Sequence, residues 1–196
     1  MPDIDHETSE QTACEACVLL NQAIRELIVP KRVWALVDQW KNVDNPISLN
    51  ESCAISNMIL RGVIMNLYRL RETREGFLAG WLFTETELLG LGFQPIEQFF
   101  PAGTWKCFEM IRHQYAGHAT GTEAKPEKKQ PARILSPAKL GKALKETGLV
   151  DLKTFLDRVQ TEVLPGVERV RDELTSRYPS VRNFVTQIYP LKIDEA

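Results

Sequence analysis

The segment RHQYAGH brings Arg112, His113 and His118 within seven residues and holds two of the chain's three histidines. Histidine exchanges a proton near neutral pH, and the planar fork of an arginine holds a pair of phosphate oxygens, so the grouping suits phosphate chemistry. A shared metal ion fits less well. His113 and His118 are about 140° apart around a helix, so they do not converge on one ion as an i, i+4 pair does. Arg112 and His118 are about 120° apart. A bundle helix that ends in exposed polar side chains has the same appearance, so the pair is equally compatible with a solvated helix end.

A basic stretch follows. Between positions 120 and 145 lie Lys125, Lys128, Lys129, Arg133, Lys139, Lys142 and Lys145 against Glu123 and Glu127, a net charge of +5. The whole chain carries −2, so the remainder carries −7 and the overall field gives no drive toward nucleic acid. Binding to RNA then rests on the local patch, with Lys125, Lys128, Lys129 and Arg133 as the backbone-contacting residues; the competing reading is an ordinary solvated loop. The run TGTEAKPEKKQPAR lacks periodicity and is rich in Lys, Pro and Gly, which reads as a mobile basic surface loop over 120–135.

Cys14 and Cys17 form a CxxC pair with no second CxxC and no ligand-spaced histidine pair. Both fall on an apolar helical stripe, so they are expected as buried, reduced, metal-free thiols acting as small hydrophobes. Four cysteines without a secretory signal point to the cytoplasm. Asn66, inside an apolar helix, reads as a hydrogen-bonded core residue or as a cleft-lining partner.

The elements that must position these groups are helical. Ala13, Cys17, Leu20, Ile24 and Leu27 trace one face of a helix over 8–29, which Pro30 ends or restarts. From Asn50, apolar residues nearly all round the run NESCAISNMILRGVIMNLYRLRE predict a central helix packed on several sides. Positions 76–103, with five Gly, two Pro and six aromatic residues, predict short helical pieces and turns covering the bundle. Trp105, Phe108, Ile111 and Tyr115 mark a helix from about 102 that stops near 117–121. Ser136, Pro137 and Gly148 bracket a short helix over 137–147, and Asp151 caps the next. That helix keeps one stripe from Leu152 through Leu174 and should kink or split at Pro165; Val181 to Ile188 suggest a last short helix.

No run alternates at period two, so the fold class is all-α, a helical bundle with short accessory helices. At 196 residues, 43% hydrophobic and 26% charged, the chain is expected to fold as one soluble domain over 8–190. Its apolar runs are far shorter than the ~20 residues of a membrane span, and its N-terminus is acidic, so no membrane association is expected.

Arg112 followed after five residues by His118, near the C-terminal end of a bundle helix, resembles the signature of the HEPN (higher eukaryotes and prokaryotes nucleotide-binding) superfamily. Its abortive-infection, AbiU-type branch is the nearest likeness, through the Arg, the polar residue His113, and a small residue, Gly117, before the His. An earlier helix ending in NLYRLRE, at 66–72, adds to it. The resemblance implies a bundle over roughly 10–178 that dimerises so that two motif helices meet across a cleft. It implies a metal-independent ribonuclease, with no cofactor, of the toxin or phage-defence type. The ribose 2′-OH attacks the adjacent phosphate, His118 serves as general acid or base, and Arg112 holds the phosphorane charge. His113 stands where the family more often has an assisting Asn or Asp. The implied partners are RNA, a second copy and an antitoxin protein. A second reading is a non-catalytic helical module that binds nucleotide or protein through the same cleft.

Overall fold

The computed structural model describes residues 6–40, 48–100, 104–112 and 151–182. The helix α1 (His6–Trp40) buries Ala13, Ala16, Cys17, Leu20, Ala23, Ile24 and Leu27 in steps of three residues and one. The small residues among these let neighbouring helices approach closely. Pro30 neither ends nor restarts this helix, contrary to expectation. Proline lacks the N–H that would bond the Glu26 carbonyl, a loss of roughly 3 kcal/mol in a free helix. Here Leu27 before it and Val37 after it are both fully buried, and that packing carries the helix through. Two residues before the proline, the Ile28 carbonyl accepts from Gln160 at 3.4 Å.

The helix α2 (Leu49–Thr73), expected from Asn50, starts from a capping box at Ser48 that was not anticipated from the sequence. The Ser48 hydroxyl accepts from the Glu51 amide, and the Glu51 carboxylate accepts from the Ser48 amide at 2.7 Å. Its second half is central as expected, burying Val63, Ile64, Leu67, Tyr68 and Leu70. Its first half is not, and Met58 is 72% exposed.

A π-helical turn, Arg74–Leu78, leads out of α2. Two short pieces follow, α3 (Glu85–Gly90) and a 3-10 turn, Ile96–Phe99, as the glycine- and aromatic-rich composition suggested. They lay Phe83, Leu88, Phe93, Ile96 and Phe99 into the core. The buried Arg74 guanidinium ties this cover together by donating to the Phe93 carbonyl at 3.1 Å and pairing with Glu85.

The helix α4 (Thr104–Ile111) carries Arg112 at its end. Asp151 then caps α5 (Leu152–Arg158), its carboxylate accepting from the Thr154 amide at 2.7 Å. The chain widens into a π-helical turn, Val159–Val163, before α6 (Leu164–Arg177). Pro165 is the cause: with its N–H missing, the Leu164 amide reaches back five residues to Val159, and the helix is split as the sequence predicted. Positions 179–182 add a last helical turn.

Cross-links fix the layout. Glu26 of α1 meets Arg69 of α2, while Lys31 meets Asp157 of α5 and Cys17 faces Thr175 of α6. Further along, Val33 of α1 and Met58 of α2 line one groove, so α1 lies antiparallel to α2 on one side and to the α5–α6 rod on the other. Among the described residues the fold is all-α, with no β pairing beyond an isolated bridge between Ala79 and Phe83. No helix among them is long and apolar enough to cross a membrane. The expected helix over 137–147 lies outside the described residues.

Candidate functional site

The site is built where α4 crosses the C-terminal half of α2. An aromatic chain anchors α4: Trp105 lies 4.6 Å from Tyr68 of α2, Phe108 lies 5.8 Å from Trp105, and Phe155 of α5 lies 5.5 Å from Phe108, all between ring centroids. Such contacts fix the rotation of a short helix that could not hold itself. They turn Arg112 onto α2, where its guanidinium carbon sits 4.6 Å from the Tyr68 ring centroid and its Nη2 meets Glu72 Oε1 at 3.2 Å.

The second ring of the pair carries a guanidinium too. Arg71 lies over Trp105 at 5.6 Å and is held by Glu75 at 2.9 Å and Glu97 at 2.8 Å. The hydrogen bond that Arg71 donates to Glu75 leads in keeping the Arg71 charge. Three buried polar atoms of this cluster, Tyr68 Oη, Thr104 Oγ1 and Trp105 Nε1, have no hydrogen-bond partner among the described residues. Burial, and then the nearby Glu109 carboxylate, push the Tyr68 phenol up to about 12. It stays protonated at neutral pH and is no base there.

Arg112 thus presents a 39% exposed cation, seated on a ring and able to hold a phosphate oxygen. Its described surroundings hold Arg71 against Glu72, Glu75, Glu97 and Glu109, and do not by themselves attract a polyanion. The other candidate site residues, His113, His118, Lys125, Lys128, Lys129 and Arg133, lie outside the described residues.

Sequence reasoning missed Tyr68, Glu72 and Trp105 as neighbours of Arg112. The only signal was NLYRLRE, which contains Tyr68 and Glu72 but says nothing of what lies across from them. Asn66, in the same run, does not join this cluster. It is buried and turned toward α1, at the edge of an apolar groove of about 550 Å³ lined by Val29, Pro30, Val33, Met58 and Met65.

The CxxC pair divides. Cys17 is buried, and burial raises its thiol despite the Thr175 hydroxyl. Cys14 is only half-buried, a correction to the expected burial of both, because it sits about 60° around the helix from Cys17, at the edge of the stripe. Burial raises its thiol as well, against the Ser180 hydroxyl, so neither sulfur is activated as a nucleophile. Among the described residues no three His, Cys, Asp or Glu side chains are grouped as a metal site requires. No protein-family model, curated protein or solved structure matches the chain.

Proposed function

We propose that the protein is a metal-independent RNA endonuclease of the HEPN toxin or phage-defence type. Its reaction is attack of a ribose 2′-OH on the adjacent phosphate, leaving a 2′,3′-cyclic phosphate and a 5′-OH, with His118 moving the proton and Arg112 holding the charge of the phosphorane. The observation that carries this reading is Arg112 itself. A half-exposed guanidinium is pre-set at the end of a bundle helix, against the α2 segment that shares the family likeness. The all-α architecture supports it too. In this reading the working unit is a homodimer in which two motif helices face one cleft, RNA backbone contacts come from Lys125, Lys128, Lys129 and Arg133, and an antitoxin protein restrains the enzyme. The free thiols support a cytoplasmic setting.

The test is to incubate the purified protein with a labelled structured RNA in EDTA and to examine the ends. Cyclic-phosphate products that vanish in His118→Ala bear the reading out; intact RNA at high enzyme concentration overturns it. Sedimentation at micromolar concentration checks the dimer separately.

One observation favours a second reading, a non-catalytic helical module. Arg112 is already paired with Glu72, in surroundings richer in glutamate than in arginine. A protein or nucleotide partner held without cleavage is the outcome that supports it.

A further inference from the structure

An arginine side chain has much rotamer entropy to lose, so a guanidinium that is to meet a ligand pre-set has to be held by something that the ligand does not displace. Among the described residues Arg112 has two contacts of different character. One is the face of Tyr68, a residue 4% exposed, backed by Trp105 and built into the rigid second half of α2. The other is the carboxylate of Glu72, 61% exposed, on the solvent side. An exposed ion pair is weak in water, because solvent and salt screen it. A ring takes the face of a guanidinium, while anions take its N–H edges, so an incoming anion competes with Glu72 and not with Tyr68.

We propose that Tyr68 is the positioning residue for Arg112, and that Glu72 is an exchangeable internal anion whose place on the guanidinium a phosphodiester oxygen of RNA takes. This rests on the reading of Arg112 as a phosphate-binding group. Phosphate wins the exchange because it offers the fork two oxygens of one rigid group, where Glu72 meets a single Nη at 3.2 Å. The ring contact persists through it, so the charge needs no reorientation when the phosphorane forms.

The experiment uses the full chain and a 2′-O-methyl RNA oligonucleotide, which presents the same phosphates but has no 2′-OH to attack them. Affinity is measured for the wild type, Glu72→Gln, Arg112→Ala and the double variant. Glu72→Gln is expected to tighten binding about two- to fivefold, and to give no gain in the Arg112→Ala background. Tyr68→Phe, which keeps the ring, is expected to bind as the wild type does; Tyr68→Leu is expected to weaken binding toward the Arg112→Ala level.

The Arg112 side-chain Nε–Hε resonance provides a readout that does not depend on RNA or on Tyr68→Leu folding. It should be shifted upfield by the ring in the wild type and in Tyr68→Phe. An unshifted resonance overturns the positioning role. An equal gain from Glu72→Gln with and without Arg112 overturns the exchange, since it marks a general charge effect. If Arg112→Ala weakens binding while Glu72 and Tyr68 variants do nothing, this inference alone fails. If Arg112→Ala leaves affinity unchanged, the phosphate-binding reading of Arg112 fails with it.

Discussion

Arg112 and Tyr68 stand 44 positions apart in the chain, yet the guanidinium carbon of one lies 4.6 Å from the ring centroid of the other. That contact joins α4 to α2 at the point where the chain's phosphate chemistry is proposed. It also separates two duties: the ring holds the side chain, and the charge remains for a ligand.

The division of labour at the site is directly measurable. His118→Ala should cost on the order of 10²-fold or more in RNA cleavage with affinity nearly intact, because it removes only the proton-transfer group. Arg112→Ala should lower cleavage comparably and also weaken binding. Its lost ring contact and exposed ion pair together should cost stability no more than about 1 kcal/mol, as read from denaturant midpoints.

Neutralising Lys125, Lys128 and Lys129 together should reduce RNA affinity and flatten its dependence on salt, since each phosphate contact releases counterions. Cleavage at saturating RNA should change little. Single-turnover rates against salt-dependent titrations test the two parts independently.

Two helical glycines should respond to alanine in opposite ways. A Cβ on Gly166 of α6 would lie 2.4 Å from the Gly92 carbonyl oxygen and 3.2 Å from Phe93 Cα, both of them backbone atoms that cannot swing aside. Gly166→Ala should therefore separate α6 from the turn after α3 and destabilise by about 2 kcal/mol or more. A Cβ on Gly62 of α2 meets nothing within 4 Å. Gly62→Ala should stabilise by roughly 0.4–1 kcal/mol through helix propensity and reduced freedom of the unfolded chain. Urea midpoints of the two variants decide it.

Stability should fall in acid in a way traceable to Glu87. Its carboxylate accepts from the Thr84 amide at 2.6 Å, then from the Thr84 hydroxyl at 2.8 Å, and pairs with Arg177 at 2.8 Å. In that order, these contacts hold it at about 2 against an ordinary 4.5. The folded state thus binds the proton less readily than the unfolded chain. The contribution is fully present above about 4.5 and is lost as the pH falls toward about 2. The difference in denaturation midpoint between the wild type and Glu87→Ala should be largest at neutral pH and close as the solution is acidified. A gap that persists unchanged at the acid end contradicts it.

Tyr68 gives the alkaline counterpart. With its phenol at about 12 against an ordinary 10, the folded state favours the protonated form, so this contribution is present below 10 and disappears as the pH rises through about 12. Phenolate absorbance should show a late-titrating component that is lost in Tyr68→Phe. Because its hydroxyl is buried without a partner among the described residues, Tyr68→Phe should leave stability equal or higher. A loss of more than about 1 kcal/mol would mean that the hydroxyl is bonded after all.

Several features were legible in the sequence because they are local. The three- and four-residue spacing of Leu20, Ile24 and Leu27, and of Val167, Val170 and Leu174, determined helices and named the faces they bury. Asp151 announced a cap and Pro165 a break, since each acts on its own backbone within a turn. Tertiary structure decided the rest. Pro30 carries the same local penalty as Pro165, yet α1 runs on through it, because Leu27 and Val37 on either side are buried. Met58 is apolar, but it stands on the rim of the open groove between α2 and α1, too far from α1 to be covered by it, and stays in water. The type and spacing of Arg112 suggested phosphate chemistry. Its seat on Tyr68, and its pairing with Glu72 one helical turn further along α2, required the aromatic contacts of Trp105, Phe108 and Phe155 to set the rotation of α4. Helical periodicity states which residues share a face; only packing between helices states which faces meet.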